Sequence, residues 1–291
     1  MVRIVTWNVW WRFEDPDRRR EAVLAVLREL KPDVVALQEA WSDGGDHCLA
    51  RGLGAELGLW AEFAPHGRPG RWHDRAPAER AYDVGLAVLS RWPVLRRETA
   101  ELPAAGGTDD GRIALHTLIE TPTGALPFFT THLNSSPHES AVRCAQVRAL
   151  GEFVVRRGTG HAFPPVVTGD LNALPDSDEL RLLGGVLTAP AAERLLLLDV
   201  WKFYADPAEP GATWDADNPY VARTFPLSTR IDYVLVGPPR PGRPGSVRAV
   251  RRAGHGPVDG VWPSDHAAVV VDLDPGPYGP DTGRPDGGAY R

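Results

Sequence analysis

The sequence predicts an α/β protein in which helices cover the sheets. Several strand-like segments are continuous apolar runs, such as Val-Val-Ala-Leu at 34–37, and not the alternation of a half-exposed strand. At least three helical patterns, including residues 15–30 and 139–156, alternate with these strands. Polar residues follow several of the apolar runs, and binding groups collect at such strand ends in layered α/β folds.

Length and composition favour one domain. The chain has 291 residues and contains no internal repeat or low-complexity linker. We expect a single domain over residues 1–274, followed by a Gly-, Pro- and Asp-rich tail at 275–291 that is disordered. The two cysteines, Cys48 and Cys144, form neither a zinc pattern nor a disulfide framework.

The charge argues against broad, charge-driven binding to nucleic acid, because the net charge is −6 and the pI is about 5.9. A local basic groove remains compatible with these values. No apolar run is long enough to cross a membrane, and no secretory segment precedes the first strand. We therefore expect a cytoplasmic protein, with a mature form that has lost its leader as the alternative.

The first third of the chain supplies two candidate site residues. A strand at 2–8 ends in Asn8, which is either a ligand or a turn residue. A helix at 15–30 follows, and a second strand at 33–39 ends in Glu39. Glu39 is a candidate ligand of Mg²⁺, which prefers one or two carboxylates together with water and phosphate. The alternative is an ordinary solvated glutamate.

The next segments are a weak helix at 46–58, a long loop at 60–81 and a strand at 82–90. The loop is rich in Trp, His and Arg, and it is either a lip over the substrate or a plain surface excursion. Strands at 112–120 and 126–133 then lead to His132, which either serves a phosphate and its protons or is a satisfied buried histidine.

The segment 164–177 is the one around which the other motifs are organised. Its apolar strand runs into Gly169, where a residue without Cβ allows the backbone to turn tightly against a ligand. Asp170 and Asn172 follow at a spacing of two, so their side chains can point the same way. A carboxylate beside a carboxamide suits a water and a phosphate oxygen next to a hard metal ion. The alternative is a corner in which both residues cap the next helix.

The last third holds short helices at 177–183 and 194–204, a loop-like region at 205–228, a strand at 230–236 with Asp232 near its start, and a candidate edge strand at 247–253. Asp265 and His266 directly precede the final strand at 267–271. Five separate segments thus place acids, histidines and amides at strand ends. Together they indicate metal-assisted chemistry on a phosphate ester.

An ordered set of motifs carries a resemblance to a known family. The motifs are Thr-Trp-Asn-Val (6–9), Leu-Gln-Glu (37–39), Thr-His-Leu-Asn (131–134), Gly-Asp-Leu-Asn (169–172), Arg-Ile-Asp-Tyr (230–233) and Ser-Asp-His (264–266). The chain resembles the endonuclease/exonuclease/phosphatase superfamily over nearly its whole length. The resemblance implies a four-layer α/β/β/α sandwich with two central, mostly antiparallel sheets.

The resemblance also implies roles for individual residues. Glu39 is expected to be the main Mg²⁺ ligand, with Asn8 and Asp265 nearby, and Mn²⁺ is a possible substitute. Asp170 is expected to position or deprotonate the attacking water, and Asn172 and His132 to donate to phosphate oxygens. His266 is the second catalytic histidine, oriented by Asp232. Asn134, Arg143 and Arg71 are expected at the substrate, although Arg143, together with Gln146, alternatively anchors the preceding loop. Asp83 is the candidate acid that supports His132.

Two differences from the motifs of apurinic-type members indicate which branch of the family this chain resembles. Apurinic-type members carry an acid two residues after the first Asn, where this chain has Trp10, and they lack a histidine at position 132. The chain therefore looks closer to the deoxyribonuclease or sphingomyelinase branch.

The expected function is hydrolysis of a phosphodiester or phosphomonoester by in-line attack of water, and the alternative is a catalytically silent module that binds a phosphorylated ligand. The substrate is a small molecule, a lipid headgroup or nucleic acid. A nuclease needs a basic stripe, for which Arg68, Arg71, Arg75 and Arg80 are candidates. A lipid phosphodiesterase needs exposed apolar lips, for which Trp60, Trp72, Trp214 and Trp262 are candidates.

Overall fold

A computed structural model describes residues 1–104, 111–209 and 211–276, and these residues form twelve β-strands and seven α-helices. The strands are β1 (Val2–Asn8), β2 (Val34–Ser42), β3 (Trp60–Pro65), β4 (Asp83–Ser90), β5 (Val94–Glu101), β6 (Ile113–Thr121), β7 (Gly124–His132), β8 (Val166–Asp170), β9 (Leu198–Asp199), β10 (Asp232–Val236), β11 (Val247–Ala253) and β12 (Ala268–Leu273). The helices are α1 (Pro16–Leu30), α2 (Leu49–Leu57), α3 (Gly70–Arg75), α4 (Ser140–Gly158), α5 (Asp178–Gly184), α6 (Val200–Tyr204) and α7 (Pro219–Ala222).

The strands form two sheets of six. The first sheet has the order β11-β12-β1-β2-β4-β3, and the second has the order β5-β6-β7-β8-β10-β9. Each sheet contains one parallel pair, β1 with β2 and β7 with β8, and every other pairing is antiparallel. The expectation of two mostly antiparallel sheets is confirmed.

Alternate side chains of the strands enter different cores, which sets the four layers. Ile4 and Val34 pack with Phe128 and Val234 between the two sheets. On the outer side of the first sheet, Leu24 of α1 belongs to a second core. The corresponding core outside the second sheet contains side chains of α4 and α5, such as Phe153 and Leu183. Each fully buried Leu or Phe contributes about 1.5–3 kcal/mol relative to exposure. The order of layers is therefore helix, sheet, sheet, helix, as the resemblance implies.

The structure corrects the prediction of a loop at 60–81. This segment contains β3, α3 and a 3₁₀ turn at Pro77–Glu79. Only Ala64 of β3 is fully buried, so the strand lacks the apolar period that identifies one from sequence. Strand β5 was missed for a similar reason, because most of its residues are exposed and many are charged.

Smaller differences concern the second half of the chain. The predicted helix at 194–204 is the short strand β9 followed by α6, and the predicted strand at 230–236 begins at Asp232. Strand β11 lies at the edge of its sheet, as expected. The expectation of a disordered tail from 275 falls mainly on residues 277–291, which lie outside the described residues. Among the helices described here, none has the length and hydropathy to cross a membrane.

Gly169 shows why β8 can lie so close to β7. Its φ is 142°, and a Cβ at this position would lie 2.0 Å from the backbone oxygen of Thr131. The sequence-based expectation was a close approach to a ligand. The approach is instead to the neighbouring strand, which carries His132 at its end.

We expect Gly169→Ala to lower the free energy of unfolding by at least about 2 kcal/mol, because the strained φ and the backbone clash each carry a cost of that order. Urea denaturation of both proteins measures the loss. Gly256→Ala is the control, since its Cβ meets nothing within 4 Å, and it should change the free energy of unfolding by less than about 0.5 kcal/mol. Equal effects of the two substitutions would contradict the expectation.

His116 on β6 makes stability depend on pH. Its ring packs 4.6 Å from that of Phe129, and neither ring nitrogen has a hydrogen-bond partner among the described residues. Burial lowers the pKa of His116 to about 4. The ring has a pKa near 6.5 in the unfolded chain and about 4 in the folded protein. The contribution of the neutral ring to folding stability is therefore complete above pH 6.5 and is lost as the pH falls through about 4.

We therefore expect the loss of unfolding free energy between pH 7 and pH 5 to be smaller in His116→Phe than in the wild type, by on the order of 1 kcal/mol. Urea denaturation at both pH values gives the comparison, in which the other titrating groups are common to both proteins. Equal pH dependence in the two proteins would contradict a neutral, buried His116.

Candidate active site

Three polar side chains stand in one row across the second sheet. Strand pairing places His132 of β7 opposite Asp170 of β8, and Asp170 opposite Asp232 of β10. Residues paired across adjacent strands project to the same face of a sheet. The three side chains are buried, and His132 Nε2 lies 3.4 Å from Asp170 Oδ2. The row therefore joins residues that are as much as 100 positions apart in the chain.

His266, which lies just before β12 of the first sheet, closes this row. Its Nδ1 lies 2.8 Å from Asp232 Oδ2, and its Nε2 lies 3.8 Å from Asp170 Oδ2. The backbone on either side of the ring is fixed, because Trp7 Nε1 donates to the His266 carbonyl and the His266 amide donates to Ser264 Oγ. The expected pairing of His266 with Asp232 is present in the geometry, and it fixes the orientation of the imidazole.

A bulge in β2 aims Glu39 at the same place. The pairing of β2 with β4 shifts register between Leu37 and Ala40, and Glu39 has a φ of 55°. A bulge re-aims a side chain that a regular strand would point elsewhere. Glu39 is buried and lines a cavity together with Asp170 and His266. Its Oε2 has no hydrogen-bond partner within the described part of the chain.

Asn8 and Asp265 line the same cavity as this carboxylate. Asn8 donates from Nδ2 to Asp170 Oδ2 at 3.0 Å, and its Oδ1 accepts from the Trp10 amide at 2.9 Å. Both residues line the cavity with Glu39, and Ser264 Oγ, which lies 3.3 Å from Asp265 Oδ1, also donates to the Asn8 carbonyl. Carboxylate and amide oxygens around an unsatisfied buried carboxylate oxygen are the donor set that a hard divalent cation prefers. The residues therefore fit a metal ion at Glu39.

A second group of ligand atoms is more compact. Atoms of Asp170, Asp232 and His266 all lie within 4.8 Å of one another. In this group Asp232 and His266 already bind each other at 2.8 Å, so the imidazole Nδ1 is committed to the carboxylate. We interpret the group as a proton-handling cluster, and Glu39 as the better centre for a cation.

The two histidines are held in opposite protonation states. Burial alone lowers the pKa of His266, but the surrounding carboxylates, with Asp232 first among them, raise it well above its ordinary value. Burial lowers the pKa of His132 far below its ordinary value, and the charge of Arg112 lowers it further. His266 is therefore the cation of the pair, and His132 is a neutral ring.

The carboxyl groups beside these histidines are unusually basic. Burial raises the pKa of Asp170, and the charge of Asp232 adds to the shift, whereas His266 opposes it. Burial likewise raises the pKa of Asp265 to about 6. A carboxylate with a raised pKa accepts a proton more readily at neutral pH, which is the property that a general base requires.

Some of the residues expected at the substrate line the cavity, and one of them does not. Asn172 lines the cavity, and its Nδ2 donates to the Leu133 carbonyl, which leaves one N–H of the amide for a ligand. Arg71 also lines the cavity and donates to Ser135 Oγ. Asn134 is buried, and its Oδ1 accepts from the Ser136 amide, so its side chain closes a turn.

Arg143 lines the cavity but is engaged with the protein. Its Nε donates to Glu179 Oε1 at 2.8 Å, and its Nη1 donates to the Ser136 carbonyl at 2.6 Å. Gln146 accepts from the Asn134 amide through Oε1. Both residues thus hold the loop after β7, which agrees with the anchoring alternative.

The acid expected beside His132 is not Asp83. The Asp83 side chain is exposed, and its backbone oxygen accepts from Trp11 Nε1. The neighbours of the His132 ring are instead His66 and Trp72, with ring centroids at 6.3 and 6.5 Å. His66 is buried at the end of β3, where the sequence suggested only a loop, so no strand pattern pointed to it.

Arg19 is a second residue that the sequence did not reveal. It lies on α1, yet it is buried and donates to backbone carbonyls of Val9, Trp10, Trp11, Phe13 and Pro263. It thereby joins the loop after Asn8 to the segment that carries Asp265 and His266. Helical arginines are usually solvated, so only its place in the fold identifies this role.

These groups open into one cavity of about 710 Å³. Its lining includes the polar side chains of Asp170, Asn172, Glu39, His132 and His266. The lining also includes apolar and aromatic side chains, among them Leu174, Trp214, Tyr220, Phe225 and Leu227. Helix α3 contributes Arg71, Trp72 and Arg75 to the lining, so part of the 60–81 segment borders the cavity.

Comparisons with known proteins identify a family and a shared fold. The model of the Endonuclease/Exonuclease/phosphatase family matches residues 5–266. Comparison with curated protein sequences gives no significant match.

Several solved structures share the fold. The human Nocturnin catalytic domain with bound sulfate has 19% identity, a TM-score of 0.70 and coverage of 94% of each chain. D. rerio TDP2 complexed with a single-strand DNA product has 19% identity and a TM-score of 0.72, with 94% of this chain and 98% of that chain covered. An endonuclease/exonuclease/phosphatase from Beutenbergia cavernae has 24% identity, a TM-score of 0.62 and coverage of 95% and 72%.

Proposed function

This chain belongs to the endonuclease/exonuclease/phosphatase family, whose members are hydrolases that act on phosphate esters, and we propose that it is a Mg²⁺-dependent phosphoesterase in which Asp170 activates the attacking water. The observation that carries the proposal is the convergence of Glu39, Asp170 and two histidines, whose pKa values their surroundings shift in opposite directions, on one cavity. Pairs of groups whose environments drive their pKa values apart are typical of acid–base sites.

The metal is proposed from the chemistry of the donors. Enzymes of this family typically depend on a divalent metal, and the unsatisfied Oε2 of Glu39 offers a ligand to one. Asn8 and Asp265 would complete the protein side of the site, and the all-oxygen set favours Mg²⁺, with Mn²⁺ as the substitute. A bound divalent ion supplies Lewis-acid polarisation of a phosphoryl oxygen and offsets developing negative charge.

The geometry supports the following proposed roles of the protein groups. Asp170 accepts a proton from water through Oδ2, the atom to which Asn8 donates and which both histidines face. The neutral His132 and the free N–H of Asn172 donate to phosphate oxygens. The charged His266 lies 3.8 Å from Asp170 Oδ2 and stabilises negative charge in the transition state. Asp232 is a positioning residue that keeps the His266 ring charged and oriented.

Hydrolysis assays test this proposal. The substrates are methyl p-nitrophenyl phosphate, p-nitrophenyl phosphate and a short oligonucleotide, each with Mg²⁺ and with EDTA. We expect Mg²⁺-dependent release of product from at least one of them. The oligonucleotide tests the nuclease alternative, which the DNA-bound state of D. rerio TDP2 makes worth including. Binding of phosphate with no turnover of any substrate would favour the silent module.

We expect Glu39→Gln to weaken Mg²⁺ binding by at least about tenfold, because the amide removes the charge while it keeps the shape. Isothermal calorimetry with Mg²⁺ alone measures this loss independently of activity. Glu62→Gln is the matched control. Glu62 lies on the edge strand β3, pairs with Arg97 of β5 and does not line the cavity. Unchanged Mg²⁺ affinity in Glu39→Gln would place the metal elsewhere.

A further inference from the structure

The cavity has an apolar wall beside the catalytic groups. This apolar wall consists of Leu174, Trp214, Tyr220, Phe225 and Leu227. Leu174, Phe225 and Leu227 are 49%, 60% and 43% exposed, although each is a large apolar side chain. The wall adjoins the proposed catalytic groups, because the ring of Trp214 lies 5.2 Å from that of His266 in an edge-on contact. Large apolar side chains that are exposed together commonly mark a binding surface.

The wall is built into the fold. Trp214 and Thr229 exchange backbone hydrogen bonds of 3.0 and 2.8 Å, and Trp214 Nε1 donates to the Phe225 carbonyl. The ring of Tyr220 lies 4.4 Å from that of Trp10, which follows the end of β1. These contacts tie Trp214 to the segment before β10 and Tyr220 to the loop after β1, so this part of the wall is held in place beside the site.

The positive charge of the cavity is small by comparison. Its lining contains three arginines, and Arg143 is paired with Glu179. Arg75 lies over the ring of Phe13 at 4.1 Å, and Arg71 donates to Ser135. A site that follows a nucleic acid needs a groove of several cations along the backbone. Two arginines and one metal site suit a single phosphate better.

We propose that the substrate of this site is an amphiphile with one phosphate, whose apolar alcohol portion lies on the apolar wall. This proposal rests on the proposed phosphoesterase function and narrows it. The phosphate enters the polar side of the cavity between Glu39 and Asp170, and the alkyl or acyl portion leaves along Trp214 toward Phe225 and Leu227. Of the four tryptophans considered from the sequence, only Trp214 belongs to this wall. Trp72 is buried, and Trp60 lies on edge strand β3.

Binding of alkylphosphonates tests the proposal without turnover, because their P–C bond resists hydrolysis. The affinities of methyl-, butyl- and octylphosphonate are measured by calorimetry in the presence of Mg²⁺, with octylphosphonate below its micelle concentration. Each methylene that becomes buried should tighten binding by up to about fourfold. We expect octylphosphonate to bind at least about tenfold more tightly than butylphosphonate.

The variant Phe225→Ser/Leu227→Ser should remove most of this dependence on chain length. The matched control is Val186→Ser/Leu187→Ser, which removes two side chains that are 72% and 71% exposed and do not line the cavity. The control should keep the wild-type dependence. Equal affinity for all three phosphonates in the wild type would overturn the proposal, and so would an equal loss in the two variants.

A competing oligonucleotide separates this proposal from the nuclease alternative. Displacement of octylphosphonate by a short oligothymidylate at micromolar concentration, with a steep dependence on salt, would overturn the proposal. Failure of the hydrolysis assays while octylphosphonate still binds through the wall would instead remove the proposed function and leave the binding site in place.

The amphiphile can be a soluble molecule or a membrane lipid, and sedimentation distinguishes the two. Phosphatidylcholine vesicles that contain phosphatidic acid serve as the probe. Co-sedimentation that depends on Phe225 and Leu227 would identify a membrane lipid. Binding of octylphosphonate without co-sedimentation would identify a soluble amphiphile, and either result supports an apolar alcohol portion.

Discussion

Asp170→Asn is expected to lower kcat for phosphodiester hydrolysis by at least about 10³-fold, since removal of a general base and loss of its charge each contribute on the order of 10²-fold or more. The amide has the shape of the carboxylate but cannot take a proton from water. The affected atom is Oδ2, which Asn8 contacts at 3.0 Å and His132 at 3.4 Å. Steady-state kinetics with saturating Mg²⁺ measure the loss.

The stability of this variant provides the internal control. Burial raises the pKa of Asp170, so the ionised group is costly to hold in the fold. Asn at this position should therefore leave the thermal midpoint at or above that of the wild type. A kcat close to the wild-type value in a folded Asp170→Asn protein would remove the proposed role of Asp170.

Asp232→Asn is expected to lower kcat by about 10²- to 10⁴-fold through its effect on His266. The carboxylate accepts from the His266 ring at 2.8 Å and is foremost among the acids that raise the pKa of that ring. Without its charge, His266 loses its cationic form and its fixed orientation. Nuclear magnetic resonance of the imidazole should show a lower pKa in the variant, a change that simple loss of packing does not produce.

Asp199→Asn is the matched control for this substitution. Asp199 also sits in the second sheet and pairs with a cation, since Arg230 Nη2 lies 2.8 Å from its Oδ2. It does not line the cavity. Its removal should reduce stability while kcat remains within a few-fold of the wild type. An equal loss of kcat in Asp199→Asn and Asp232→Asn would indicate a general structural effect.

The parts of the fold that the sequence predicted are those with strong apolar patterns. Strands such as β1, β2 and β8 are buried along almost their whole length, so their side chains form runs that no surface segment imitates. β3 and β5 are partly exposed edge strands. Their backbone hydrogen bonds to a neighbouring strand do not require an apolar side-chain pattern, so the sequence does not reveal them. The four-layer arrangement came from the family resemblance.

The candidate site was predictable where chemistry follows a strand end. Asp170, Asp232 and His132 come together because strand register places them in one row. Glu39 depends on a bulge, which the sequence does not announce. His66, Arg19 and the apolar wall were missed, because each depends on contacts between residues distant in the chain. Asp83 shows the opposite error, in which a family pattern was carried over to an exposed residue.

The central claim is that Glu39 holds the divalent ion and that the Asp170–Asp232–His266 cluster handles protons. Anomalous diffraction from crystals soaked in Mn²⁺ tests it directly. We predict a peak within about 2.5 Å of a Glu39 carboxylate oxygen. A peak centred instead among Asp170, Asp232 and His266, with none at Glu39, would contradict it.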